Sequence, residues 1–363
     1  MTSLTLPFML VPRVAPSRAM TWLSPLLAIV LTLAAGALLF ALMGQDPVQG
    51  LRTFLWEPLA TRRGWSELAL RATPLILCAT GLALCFRANI WNIGAEGQLI
   101  AGAIAGGGVA LLATATSTRA FVPAIIVAAA AGGAAWAAIV AWLRDRFHAN
   151  EILVSLMLVY VAQLLLSWLV HGAWKDPDGY GFPQSRLFEP AARMPIVLAG
   201  TRLNLGFIVA LASALLLWLM FARGAIGFQL KVAGLAPRAA RYAGFSERRL
   251  AWFALLACGA LAGIAGGVEV AGPVGQLTPT ISPGYGFAAI IVTFVGRLHP
   301  LGIVLAAFVL AQFYIGGELA QSRLGLPSAL SGVYQGLLLF FLLASDTLIM
   351  NRVVRRARLV VAQ

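Results

Sequence analysis

Charge is what this sequence has least of. Only 26 Lys+Arg and 13 Asp+Glu stand among 363 residues, 11% of the chain, where soluble globular domains carry about 25%. A water-soluble fold of this size has more surface than that to cover with groups water tolerates. With 60% hydrophobic residues and a mean hydropathy of +0.88, the composition excludes a soluble enzyme, a disordered chain and a nucleic-acid binder. The net charge of +13 belongs instead to the positive-inside bias of a membrane protein.

Lysine is nearly absent. Neither Lys175 nor Lys231 is followed by Ser or Thr, so the chain has no phosphate-binding loop of the GxxxxGK[ST] type and is expected to hydrolyse no nucleotide by that route. There is no HExxH, and His148, His171 and His299 lie near the ends of apolar runs. Cys78, Cys85 and Cys258 form no CxxC pair and no disulfide framework. Cys78 and Cys85 share a helix face and read as small core residues. The expectation is no catalysis, no metal and no cofactor in this chain.

Apolar runs are what it has instead. A membrane-crossing helix needs about 20 mostly apolar residues. Windows free of charge cover 21–45, 98–118, 120–143, 152–170, 203–222, 250–268 and 324–345, and 298–317 qualifies with His299 at its edge. Two shorter runs, 72–86 and 285–296, bring the expectation to ten spans. The first run is longer than the apolar core of a signal peptide and follows Arg13 and Arg18, as a retained anchor would. Lys and Arg are denser in the loops that an N-in, C-in topology assigns to the cytoplasm. The expected fold is an all-α polytopic membrane protein. Its parts are a cytoplasmic tail (1–21), a permease domain (22–345) with a cytoplasmic loop at 223–250, and a basic cytoplasmic tail (346–363). Residues 46–71, with Trp56 and Trp65, fit a helix lying at the outer interface.

Three segments break the apolar pattern. Residues 87–98 read Arg-Ala-Asn-Ile-Trp-Asn-Ile-Gly-Ala-Glu-Gly-Gln, too polar for a lipid-facing helix. Irregular backbone at membrane depth needs protein or a cavity around it, although Gly94 and Gly97 equally suit a capped cytoplasmic turn. Glu269 precedes an uncharged stretch, 270–284, whose prolines and glycines forbid a continuous helix. That stretch fits either a re-entrant element beside a solute path or an outer loop. Glu151 after Asn150 fits the start of a helix. In the cytoplasmic loop, Pro237 opens a short helix that Gly244 ends. It suits docking into a partner's cleft, or serves as an amphipathic connector.

These residues resemble a known family. FRANIWNIGAEGQLIAGA from Phe86 is similar to the N-I-G-x-E-G-Q signature of bacterial ABC importer permeases of the ribose and branched-chain amino acid superfamily. Asn150-Glu151-Ile-Leu-Val-Ser-Leu-Met157, Gly234 to Gly244 and the turn Val295-Gly-Arg-Leu-His-Pro-Leu-Gly302 resemble further family segments, over roughly residues 70–345. The set looks most like the nucleoside-type branch, which works with a basic membrane lipoprotein-type binding protein. Trp91, often Phe or Leu in the signature, and His299, often Asn, are departures that bear on solute identity.

The resemblance implies a permease subunit in the bacterial inner membrane that imports a nucleoside, with a purine nucleoside expected. The implied partners are an ATPase subunit that binds ATP and Mg2+, a second, related permease, an extracytoplasmic solute-binding protein and membrane lipid. It further implies that Gly234, Pro237, Arg238, Ala239, Ala240, Arg241, Tyr242 and Gly244 form the coupling helix, and that 89–98 lies near the solute path. For a nucleoside, Trp91 and Phe294 would stack on the base and Asn92, Glu96, Gln98 and Gln276 would supply hydrogen bonds, with Asn89 and Glu269 also expected along the substrate pathway. Three alternatives stand beside this reading. One is a family member for a simple sugar or branched-chain amino acid, the second a secondary transporter using Glu96 or Glu269 as proton carrier, the third a passive channel.

Overall fold

The computed structural model describes residues 8–355, except 14 and 16. The parts of the two expected tails at 1–7 and 356–363 therefore lie outside the described residues. The helices are α1 (Arg18–Leu42), α2 (Pro47–Leu51), α3 (Glu57–Leu59), α4 (Arg62–Arg87), α5 (Ala95–Ala110), α6 (Phe121–Phe147), α7 (Glu151–His171), α8 (Gly206–Arg223), α9 (Ala225–Leu235), α10 (Pro237–Tyr242), α11 (Glu247–Glu269), α12 (Tyr285–Val295), α13 (Pro300–Leu324) and α14 (Leu330–Met350). Among the described residues, 8 helices are long and apolar enough to cross a membrane. The protein is an all-α polytopic membrane protein.

Each of the ten expected spans corresponds to one helix, but α5 and α12 are too short to stand among the eight, and the lengths of α4 and α5 differ from expectation. The run at 72–86 is the end of a 26-residue helix, α4, buried for most of its length. Its first turns carry Arg62, Arg63, Glu67 and Arg71, and those charges hid it from a search for uncharged windows. Residues 46–71 consequently do not form one interfacial helix: 47–59 make short helical turns and 62–71 belong to α4. The run at 98–118 yields a helix of only 16 residues, α5. Beyond it the Ser117 hydroxyl accepts from the Thr114 N–H at 2.9 Å, a local turn bond that competes with helix continuation.

The chain forms two compact units, residues 1–57 with 316–363 and residues 58–315. In the first, α1 packs on α14 and Ser24 Oγ donates to Asp346 Oδ1 at 2.7 Å. Phe54 and Tyr334 stack with centroids 4.3 Å apart beside Phe40. A two-stranded antiparallel ribbon, β1 (Phe8–Pro12) with β2 (Asn351–Arg355), pairs Phe8 with Arg355 and Pro12 with Asn351. Chain segments paired in this way lie on one side of the membrane, which agrees with an even number of crossings.

In the second unit, α4 is covered by α8, α11 and α12, while α5, α6 and α11 pack against one another. Small residues permit that approach, as they do where bilayer helices meet without a hydrophobic drive between them. At Gly263 an added Cβ would overlap the Ala129 carbonyl and lie 2.9 Å from Gly133 Cα. Gly263→Leu is therefore expected to destabilise the protein by about 3 kcal/mol or more, read as lost yield and a lowered melting temperature in detergent. Gly332, with nothing within 4 Å of its virtual Cβ, is the control, and Gly332→Ala leaves both unchanged or slightly improved.

Candidate functional site

The chain leaves regular structure twice inside the second unit. After α4 closes, Asn89 adopts φ +56° and the backbone runs irregularly until α5 begins at Ala95. After α11, a π-turn over Val270–Val274 holds Pro273, and Gly275 at φ +73° ends it. Residues 276–284 then run without regular structure to α12. The latter helix has 11 residues, a rise of roughly 16 Å, about half of a ~30 Å hydrocarbon core. It lies along the cytoplasmic half of α4: Thr293 Oγ1 lies 3.3 Å from Ala79 O, and the Phe294 and Phe86 rings stack at 5.1 Å.

The N-termini of α5 and α12 meet. Gly286 donates its N–H to Glu96 Oε2 at 2.6 Å, and an added Cβ at Gly286 would overlap the Glu96 backbone. Glu96 itself sits in the first turn of α5 and is 1% exposed. One carboxylate thus faces the positive ends of two helix dipoles, an arrangement that offsets part of the cost of burying it. The residue types fit this junction, since a carboxylate accepts backbone N–H groups and glycine lets the second helix come close enough to donate.

Asn92 and Gln98 build the other half of this knot. Asn92 Nδ2 donates to Gln98 Oε1 at 3.1 Å, and Gln98 Nε2 donates back to Asn92 Oδ1 at 3.3 Å. Asn92 Oδ1 also accepts from Gly94 N at 3.0 Å, and its Nδ2 lies 3.2 Å from Cys258 Sγ. Ser155 Oγ of α7 accepts from Ile93 N at 3.2 Å. Buried amides of this kind are stable only when paired. The polar signature therefore holds the irregular segment against α7 and α11. Asn150 caps α7 through Ile152 N at 2.9 Å, with Glu151 in the first turn, 3.5 Å from Arg144.

The remaining expected site residues lie elsewhere. Trp91 is 42% exposed and joins Phe86 and Phe294 in an aromatic cluster, 6.1 Å from the Phe294 ring. Asn89 lines a small cavity of about 140 Å³ with Arg144, Pro237 and Glu247. Glu269 is buried at the end of α11 under the electrostatic influence of Arg71 and Arg202. Arg71 Nη1 donates to Tyr285 Oη at 2.7 Å, and Arg202 makes a two-point ion pair with Glu67. Gln276 Nε2 bonds Gln184 Oε1 at 3.1 Å. There the outer loop lies along the chain after α11, through Met194 N to Ala271 O and Phe188 N to Gly275 O, both 2.8 Å.

In the cytoplasmic loop, α9 and α10 form a helical turn-back. Gly234 sits against the Arg87 carbonyl, and Ala240 is the buried residue of α10. Pro237, Arg238, Ala239, Arg241 and Tyr242 are exposed, Tyr242 by 96%. Gly244 at φ +79° closes the segment, and Arg241 pairs with Glu247 at 3.2 Å. Sequence reasoning missed Arg71, Tyr285, Ser155 and Cys258. An arginine standing directly before an uncharged apolar run was the available signal for the first.

The family described as the branched-chain amino acid transport system permease component matches residues 64–343. Three relatives run almost the length of the chain. The glucose ABC transporter permease protein TsgB13 of Haloferax volcanii is 35% identical, covering 90% of this chain and 88% of its own. The guanosine ABC transporter permease protein NupP of Bacillus subtilis is 32% identical, covering 89% and 93%. The nucleoside ABC transporter permease protein NupB of Lactococcus lactis is 26% identical, covering 88% and 90%.

Proposed function

The chain belongs to the branched-chain amino acid transport system permease family, and on that premise we propose that it forms part of the pathway by which an ATP-driven importer takes up a purine nucleoside. It is a multi-pass transport subunit of the inner membrane. The observation that carries the solute is the pair of relatives named for guanosine and nucleosides, aligned over nearly nine-tenths of the chain. A second reading, a free sugar, is favoured by the similarity to the Haloferax glucose permease. Both solutes present a hydroxylated ring, and only the nucleoside adds an aromatic base.

In this proposal ATP and Mg2+ bind the partner ATPase, and the chain has no phosphate-binding loop of its own. The helix Pro237–Tyr242 docks on that ATPase, which its exposed Arg238, Arg241 and Tyr242 support. A solute-binding protein delivers at the outer loop, and a second, related permease completes the complex, as the resemblance to the nucleoside branch supports. ATP binding shifts the balance between outward- and inward-open states by its differential affinity for them. Glu96, Asn92 and Gln98 act by holding the broken helices in place. The exposed Trp91, stacked with Phe294, is the aromatic contact for the base.

The test is a competition series on the assembled importer in vesicles, with labelled guanosine as solute. Unlabelled adenosine and inosine should compete, and glucose and leucine should not. Competition by glucose at equal strength would move the protein to the sugar reading. Trp91→Ala should raise KM for guanosine by roughly tenfold, the loss of one base–aromatic stack, with kcat little changed.

A further inference from the structure

Residues 243–246 alone separate α10 from α11, and direct bonds tie the two. Arg241 Nη2 pairs with Glu247 Oε1 at 3.2 Å, and Phe245 N donates to Ala240 O at 3.0 Å. Movement given to α10 by a docked ATPase therefore reaches the first turns of α11. Those turns stand beside the cytoplasmic corner at 148–150, where α6 gives way to α7.

Packing alone does not hold this corner to α11. Deeper in the bundle the backbones of α6 and α11 touch, with Gly133 against Gly259 and Gly263. At the cytoplasmic end a cavity of about 360 Å³ opens instead, with Arg144, His148 and Glu151 on one wall and Arg248 and Trp252 on the other. Asp145 bridges the two sides. Its Oδ2 accepts from Arg248 Nη2 at 2.7 Å and from Trp252 Nε1 at 3.4 Å. The Arg248 side chain is 73% exposed, so the ion pair adds little to folding. Its effect is on where the two helix ends stand relative to each other.

The same corner reaches the signature segment. Arg144, next to Asp145, lies 3.5 Å from Glu151 in the first turn of α7, and Trp136 Nε1 of α6 donates to Leu158 O at 3.3 Å. About one turn after Glu151, Ser155 Oγ accepts from Ile93 N, and an added Cβ at Gly94 would lie 2.8 Å from Ser155 Cβ. Direct contacts thus run from α10 through α11, α6 and α7 to the irregular backbone at 89–94.

We propose that Asp145 is a positioning residue for transport: it makes the α6–α7 corner follow α11, so that movement of α10 reaches the signature segment. Loss of this link uncouples ATP hydrolysis from uptake without unfolding the protein. This role rests on α10 docking on the ATPase, and the experiment separates the two.

Uptake of labelled guanosine and ATP hydrolysis are measured together on the assembled importer in vesicles with its binding protein. Asp145→Ala should fold, retain the ATPase subunit and keep the wild-type KM. Its uptake kcat should fall roughly fivefold, the size of effect that residues in such networks carry. Hydrolysis should continue, so more ATP is used per guanosine. Asp145→Glu keeps a carboxylate and should keep most of the coupling. Arg248→Ala, at an exposed position, should show a smaller loss, because Trp252 still holds Asp145. Adding it to Asp145→Ala should cost nothing further. An unchanged ratio of ATP to guanosine in folded Asp145→Ala or in Arg248→Ala, or fully additive losses in the double variant, would overturn the proposal and leave the docking of α10 intact. Loss of the ATPase subunit from Asp145→Ala would also overturn it, by making the corner a docking surface. A wild type whose hydrolysis is indifferent to guanosine would overturn the importer reading and this role with it.

Discussion

Arg238→Ala combined with Tyr242→Ala should lower solute uptake at least tenfold and release the ATPase subunit during purification, while the permease stays folded. Both side chains are exposed, Tyr242 by 96%. Surface truncations of that kind change stability by about 0.5 kcal/mol or less. In an interface, by contrast, a Tyr or Arg anchor contributes about 2 kcal/mol or more, roughly thirtyfold in affinity. Ala240 is the internal comparison. It is fully buried, so a large residue there should damage folding itself. If the double variant still copurifies with the ATPase and transports normally, the docking role of this helix is wrong and it is a connector.

The second large effect is expected at Glu96. Its carboxylate takes the Gly286 N–H at 2.6 Å inside the protein. Glu96→Ala removes a charge-assisted bond and leaves the start of α12 without that acceptor, at a cost of about 2–4 kcal/mol. Glu96→Gln keeps an acceptor oxygen and should lose less. Melting temperature and transport should therefore fall together, in the order wild type, Gln, Ala. A residue that only touches solute behaves differently: KM rises while the melting temperature stays where it was. That split in the Glu96 variants would contradict the positioning role argued from the geometry.

The places where structure and sequence agree, and those where they part, have identifiable causes. Long uncharged runs announced α1, α6, α7, α8, α11, α13 and α14 because lipid demands about 20 apolar residues whatever the neighbours are. Helix α4 was cut short for the same reason in reverse. Its charged first turns are protected by partners distant in sequence, Arg71 by Tyr285 and Glu67 by Arg202, and no local pattern reveals them. The signature 89–98 was legible as a polar break in the apolar pattern, irregular up to the start of α5 at Ala95. Its division of labour was not. The same residue types that could line a path, Asn92, Glu96 and Gln98, bond one another or the start of α12, and leave Asn89 and Trp91 as the exposed members. Gln276 and Glu269 were singled out for lying in a broken segment, and the structure puts each with a different set of partners.

The most direct test is uptake of labelled guanosine by inner-membrane-type vesicles holding this chain with its ATPase, its companion permease and its binding protein. The prediction is uptake that requires ATP inside the ATPase-facing compartment, persists in the presence of an uncoupler, and disappears with the Arg238→Ala, Tyr242→Ala double variant. Uptake by this chain alone, driven by a proton gradient and indifferent to ATP, would contradict coupling to a partner ATPase.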